Sequence, residues 1–509
     1  MHLHRLLLLV LAWLPVALAP AQTTIHLHPD LAGPMIQPEL YGHFAEHLGR
    51  CIYGGIFVGE DSPIPHVRGF RKDVIDALTA LEVPVLRWPG GCFGDTYHWR
   101  DGIGPRSERP SIVNVHWGGV TEDNSFGTHE FLDFCELIGA EPYINLNVGS
   151  GTVQEASEWV EYVTSSNESP MTKLRRQNGR NEPWEVKYWG IGNENWGCGG
   201  NMTPEYYADL YRRFATYCRG DIYRIAGGPN VDDYNWTRVL MQKTGHMPWL
   251  VQGLSLHYYT LPDGWEPKVS ATDFAEDGWA KTMRQANRMN ELITRHSSIM
   301  DQYDPQGRIG LIVDEWGTWF QVEPGTNPGF LYQQNTLRDA LVAGIHLNIF
   351  NRHAERVKMA NIAQMVNVLQ SMILTRDGEM VLTPSYYVFK MYKVHQGAAL
   401  LPLDFDSPVY RYGNIELKAL DASASIKDGE INITICNLDP NQAHPIALAL
   451  SGYKTADGQI VTSANMQDYN DFGQPEKVNL KPFEVPRPRN GQLEVSIPAK
   501  SVVHIRLTP

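Results

Sequence analysis

Cysteine is scarce in this chain: six residues in 509, none in a Cys-x-x-Cys pair. That excludes a small disulfide-stapled scaffold and a structural zinc site built on paired thiolates. Positive charge is short as well. Lys and Arg number 43 against 57 Asp and Glu, a formal net charge of −14 at pH 7, so polyphosphates are repelled and nucleic acid is not a partner. Long apolar runs are missing. The run from Leu6 to Ala19 falls short of the roughly 20 residues that span a bilayer, so no membrane association is expected of the mature chain. Internal repeats, heptads and low-complexity segments are absent too.

The N-terminus is informative by its pattern. An Arg at position 5, an apolar run and then Ala19-Pro20-Ala21 form the n-region, h-region and small-x-small site of a signal peptide over residues 1–21. Export is expected, to a periplasm or to the outside, with the mature chain starting at Gln22. The remaining length suits one large domain plus a smaller one, because single cores stop growing at about 250–300 residues. Aromatic residues are plentiful, with 14 Trp and 23 Tyr, which suits a large core and a sugar-binding cleft alike.

Apolar, β-rich segments alternate with amphipathic helical stretches from Leu40 to Gln370. Eight segments read as strands: 40–44, 83–90, 142–149, 186–194, 223–230, 253–259, 309–316 and 363–370. Eight strands alternating with helices predict a (β/α)8 TIM barrel over 36–395. Beyond it the pattern changes to short alternating strands such as "EINITICNL" and "SVVHIRL", the mark of an antiparallel β-sandwich over 396–509. Residues 22–35, with "TTIHLHP", are expected to add a strand to that sandwich.

In such a barrel the active site forms at the C-terminal ends of the strands. Polar residues collect there: Glu46, Arg87, Asn193-Glu194, His257 and Tyr259, Asp314-Glu315, and Gln364. "WGIGNENWGCGG" and "IVDEWGTWF" each deliver a glutamate from an apolar strand. Adjacent strand residues point to opposite faces, so only one of Asp314 and Glu315 is expected to face the barrel mouth, and Glu315 is the choice. Glu194 and Glu315 then meet across the mouth as the carboxylate pair that glycoside hydrolysis requires. Trp316 and Trp319 offer flat apolar faces to sugar rings. His43 and His47 have the i, i+4 spacing of a metal pair, but no third ligand is apparent, and neither a metal nor a cofactor is expected.

These motifs, together with "LYGHFAEHLGRCIYGGI", "LRWPGGCFGDTYHWRDGIGP", "SLHYY" and "NIAQMVNVLQSMILT", resemble glycoside hydrolase family 51, the α-L-arabinofuranosidases, over nearly the whole chain from Gln22 on. The resemblance implies a retaining hydrolase that releases terminal α-L-arabinofuranosyl groups from arabinose-containing glycans, with Glu194 as acid/base and Glu315 as nucleophile. It implies further that Asn193 binds the sugar 2-hydroxyl, that Tyr259 holds the nucleophile, that Arg87 keeps it ionised, and that Glu46 and Gln364 grip furanose hydroxyls. His257 supports the pair, Trp319 lines the sugar site, and a homo-hexamer is the implied assembly.

Cys92 stands where many members of that family carry a sugar-binding Asn, and a thiol is a weak donor and acceptor. Cys198 lies just past Glu194, so a Cys92–Cys198 disulfide and two free thiols both remain open. Two other functions use the same features. One is a β-xylosidase or endo-glucanase on the same fold; the other is a glycan-binding protein without turnover.

Overall fold

The computed structural model describes residues 22–449 and 452–509. Eight parallel strands close into a barrel in chain order: β1 Gly42–Phe44, β2 Val85–Trp88, β3 Glu141–Leu146, β4 Tyr188–Ile191, β5 Tyr223–Ala226, β6 Gly253–Thr260, β7 Gly310–Thr318 and β8 Val357–Ala363. β8 pairs back onto β1 through Asn361 and Gly42. Every residue of β1, β2, β4, β6 and β7 is buried, as expected where helices cover the outer face and side chains fill the inside.

Helices between the strands form where the amphipathic pattern places them. Lys72–Leu81, Thr128–Ile138, Val153–Thr164, Pro204–Tyr217 and Glu276–Asp301 cover the barrel, and Thr152, Thr203 and Asp233 cap helix starts by accepting from a backbone N–H three residues on.

The eighth strand departs from the sequence reading. Segment 363–370 is apolar, but Asn367 and Leu369 take left-handed angles (φ 60° and 50°). Its amides bond within loops, Gln364 N–H to Val368 O and Leu369 N–H to Leu331 O. The true strand, Val357–Ala363, comes just before it. The helix leading into that strand, Leu337–Arg352, is buried along nearly all its length, so it has no polar face to mark it as amphipathic.

That burial comes from the second domain. A four-stranded sheet (Leu403–Asp404, Thr23–Leu27, His444–Ala449, Gln492–Ile497) faces a six-stranded one (Ala399–Leu400, Leu420–Lys427, Glu430–Asn437, Ser501–Thr508, Thr455–Thr462, Leu480–Phe483). Ile431, Ile433 and Ile435 alternate inward against Ile25, Ile446 and Leu448. The other face of the six-stranded sheet packs on Leu337–Arg352, where Asn348 donates to Asp421 and accepts from Ser423 and Thr434.

Candidate active site

Six inward side chains, Val85, Tyr143, Tyr188, Ile225, Ile312 and Met359, plug the lower half of the barrel. Two residues further along their strands the inward positions turn polar: Arg87 follows Val85, and Asp314 follows Ile312. A period of two therefore places Asp314, not Glu315, inside the barrel.

Glu315 reaches the same place through a bulge. β6 and β7 pair Ser255 with Ile312 and then His257 with Glu315, so three steps on β7 answer two on β6. The bulge turns both acids inward, Glu315 at the mouth and Asp314 below it, so the strict alternation expected along this strand fails here. Arg87 Nη1 donates to Glu315 Oε2 at 3.1 Å, and its Nε lies 3.6 Å from Asp314 Oδ2. Asp314 also accepts from Tyr143 at 2.7 Å and from Ser255. Burial would raise its pKa, but Arg87 and His257 outweigh that and hold it at about 2.

Glu194 lies at the start of the loop after β4 and keeps 17% of its side chain exposed. One carboxylate oxygen of Glu194, one of Glu315 and a ring nitrogen of His257 all lie within 4.8 Å of one another. His257 Nδ1 sits 2.8 Å from Glu194 Oε1 and 3.4 Å from Glu315 Oε2, while Nε2 faces Asp314 at 3.3 Å. Burial opposes charge on this ring, yet Glu315, Asp314 and Glu194 raise its pKa to about 10, which makes it an imidazolium at neutral pH. Glu194 is pushed above the ordinary carboxylate range, first by burial and then by the charge of Glu315.

The remaining expected residues converge as well. Tyr259 donates to Glu315 Oε1 at 2.8 Å. Asn193 accepts from Arg87 Nη2 at 2.6 Å, which turns its amide N–H groups toward the cleft wall, with Cys198 Sγ 3.9 Å away. Glu46 accepts from Phe93 N–H, Trp117 Nε1 and Gln364 Nε2 at 3.0, 2.8 and 2.9 Å. Burial and the nearby Glu315 outweigh those three donors and raise its pKa to about 7.

Cys92 and Cys198 form a disulfide, Cα to Cα 5.5 Å, which joins the loops after β2 and β4. Cys92 therefore carries no thiol for a sugar hydroxyl. Cys92, Trp117, Glu194, His257, Tyr259 and Trp319 line an open cleft of about 690 Å3. Trp319 meets Tyr259 and Trp265 edge-on. Trp316 does not reach the cleft; it is fully buried against His346, Phe350 and Phe389. His47 stacks on Phe93 and accepts from Trp88 Nε1, while His43 packs on Phe389, so the two rings share no site.

Trp117 and Trp265 lie outside the apolar and periodic segments, Trp117 in the turn between the short strands Ile112–Val113 and Thr121–Glu122 and Trp265 in the loop after β6, so the sequence reading does not single them out. Their signal is modest: Gly118 and Gly119, both at positive φ, follow Trp117.

Two family models match the chain. That of the alpha-L-arabinofuranosidase 1 domain covers residues 77–271, and that of the alpha-L-arabinofuranosidase C-terminal domain covers 314–501. The chain is 53% identical over 498 residues to a Bacteroides ovatus protein named intracellular exo-alpha-L-arabinofuranosidase, covering 96% of each. It is 37% identical to alpha-L-arabinofuranosidase C of Emericella nidulans, over 81% of this chain and 84% of that one. The crystal structure of the GH51 arabinofuranosidase from Xanthomonas axonopodis pv. citri superposes with a TM-score of 0.94 at 49% identity, covering 96% of this chain and 100% of that one. The Bacteroides relative's name corrects the expectation of export. The N-terminal run on which that expectation rested, residues 1–21, lies outside the described residues.

Proposed function

The chain belongs to the family 51 α-L-arabinofuranosidases, and from that premise we propose that it releases terminal α-L-arabinofuranosyl groups from arabinoxylan, arabinan or their oligosaccharides by double displacement, with Glu315 as nucleophile and Glu194 as acid/base. The observation that carries this reading is the approach of the two carboxylates to within 4.8 Å. Retaining enzymes hold the pair about 5–5.5 Å apart, whereas inverting ones need about 6.5–9.5 Å to admit a water between them.

The surroundings support the same division of labour. Glu315 receives Arg87 and Tyr259 as donors, which favours the ionised form that attacks the anomeric carbon. Glu194, raised by burial and by Glu315, holds the proton that passes to the departing glycosidic oxygen. Once Glu315 is esterified its charge is gone, one cause of the raised Glu194 pKa goes with it, and Glu194 becomes the base that takes a proton from the incoming water. Attack of that water on the anomeric carbon then frees Glu315.

The pocket favours a single terminal ring. Trp117 Nε1 and Gln364 Nε2 both donate to Glu46, and in this reading that cluster and the Asn193 amide take the furanose hydroxyls. The Bacteroides relative is named exo-acting.

Hydrolysis of an aryl α-L-arabinofuranoside beside an aryl β-xyloside and β-glucan tests the substrate. Preference for the xyloside or the glucan, with indifference to the arabinoside, would overturn it. The Glu194→Ala variant tests the roles. Its turnover of a substrate with a good leaving group should stall at the second step and recover with azide, which needs no base; wild-type turnover in this variant and in Glu315→Ala would refute both assignments.

A further inference from the structure

The disulfide in the cleft wall hides a ligand set. Cys198 Sγ lies 3.7 Å from Glu194 Oε2; as a bridged sulfur it has no proton to donate, so this is a contact rather than a hydrogen bond. One atom each from Cys92, Cys198 and Glu194 falls within 4.8 Å of the others. Two thiolates and a carboxylate make a donor set for a thiophilic cation with one position open. Sulfur at about 2.3 Å and oxygen at about 2.0–2.2 Å from a tetrahedral zinc stand about 3.5 Å apart, close to the observed sulfur-to-oxygen distance. Two zinc-bound sulfurs stand about 3.8 Å apart, which rotation about the Cα–Cβ bonds supplies when the Cα atoms are 5.5 Å apart.

We propose that reduction of the Cys92–Cys198 bridge turns this wall of the cleft into an inhibitory site for Zn2+ or a cation of similar softness, held by both sulfurs and by Glu194. A dithiol reductant supplies two electrons and two protons and leaves as its own disulfide. The S–S bond becomes two thiols, and cation binding releases their protons.

Both thiols stay in place without the bridge, because each loop has its own hydrogen bonds. Phe93 N–H, next to Cys92, donates to Glu46, and Gly94 N–H bonds to Gly91 O. Around Cys198, the Gly197 and Gly199 N–H groups donate to Glu194 O, and Asn195 Nδ2 donates to Gly199 O. Glu194 is aimed as well: His257 donates to its Oε1 and leaves Oε2 toward the sulfurs. Cys92 lines the cleft and both bridged cysteines are half-buried, whereas the other cysteines, Cys51, Cys135, Cys218 and Cys436, are buried.

The inference rests on the catalytic reading of Glu194 only for its effect on activity, so the test has a separate binding arm. The full-length enzyme is reduced under native conditions, desalted under inert gas and titrated with Co2+ and with Zn2+. Reduction should expose two thiols. The reduced enzyme should bind one equivalent of Co2+ with a thiolate-to-cobalt charge-transfer band, and one equivalent of Zn2+ should lower arabinofuranoside hydrolysis by about 100-fold or more, the usual worth of a general acid/base, reversibly with a chelator. The oxidised enzyme should show neither effect.

Absence of the charge-transfer band, or equal inhibition of the oxidised enzyme, would overturn the proposal. So would Zn2+ inhibition of reduced Cys198→Ser at the wild-type level. If that variant does not fold, the oxidised and reduced wild-type states still decide. Should the enzyme leave arabinosides untouched while binding Co2+ through thiolate, the failure belongs to the catalytic reading and not to the metal site.

Discussion

Asp314 and Glu315 are consecutive in a β-strand, yet both side chains reach the guanidinium of Arg87. The bulge between β6 and β7 makes this geometry and divides the labour of the two acids. Glu315 faces the cleft. Asp314 sits below it and holds Arg87, His257, Tyr143 and Ser255 in position. Asp314→Ala leaves two buried cations facing one fewer carboxylate, which costs about 3–5 kcal/mol for a buried pair broken on one side. We expect the denaturation midpoint to fall accordingly at unchanged denaturant slope, and kcat to fall although Asp314 touches no sugar. A midpoint within error of wild type would show that Arg87 does not depend on it.

His257 sets the pH range. Its Nδ1–H stabilises the ionised form of Glu194, so it lowers a pKa that burial and Glu315 raise. The basic limb of kcat/KM follows loss of the Glu194 proton. In His257→Asn the carboxylate loses a positive neighbour, its protonated form persists to higher pH, and the basic limb should move upward by about 1–3 units. A downward move in the pH–rate profile would mean that His257 itself supplies the titrating proton.

Where each residue lies decides how far the sequence alone reveals it. Seven barrel strands lie in apolar runs that the sequence marks, and the polar residues at or just past their ends, Glu46, Arg87, Glu194, His257 and Glu315, converge at one end of the folded barrel. The eighth strand did not show, because the helix before it is buried against both barrel and sandwich and loses its period. The partnership of Asp314 was hidden for a different reason. A bulge is a mismatch between two strands, and a pattern read along one strand cannot contain it. Trp117 lies outside every periodic segment, so only a folded loop brings its indole N–H to Glu46.

Gly91 is a test of pocket size. A Cβ there would stand 2.6 Å from Glu46 Oε1 and 2.7 Å from Oε2, so Glu46 must move and surrender the Phe93 N–H bond or its place beside the sugar. We expect Gly91→Ala to lower kcat/KM for an aryl arabinofuranoside by about 10- to 100-fold, the worth of one hydrogen bond to a charged group at about 1.5–3 kcal/mol. The loss should fall mainly on KM if Glu46 holds the ring as proposed, because such a contact serves ground and transition state alike. Unchanged kcat/KM would remove Glu46 from the sugar's contacts.

Asn348 separates the contribution of the sandwich from that of the site. It is fully buried, its amide N–H reaches Asp421 at 2.9 Å, and its oxygen accepts from Ser423 and Thr434 at 2.8 Å each. Asn348→Ala leaves those two hydroxyls with one acceptor fewer, at about 1–3 kcal/mol for a buried group left unpaired. The helix that carries Asn348 leads into β8 and thence to Gln364, so the test asks whether a strained domain contact reaches the catalytic pocket. We expect the denaturation midpoint to drop and kcat and KM of the folded enzyme to stay at wild-type values, because Gln364 is also fixed locally by Val368 and Glu46. Reduced kcat with an unmoved midpoint would mean instead that the six-stranded sheet helps to set the geometry of the cleft.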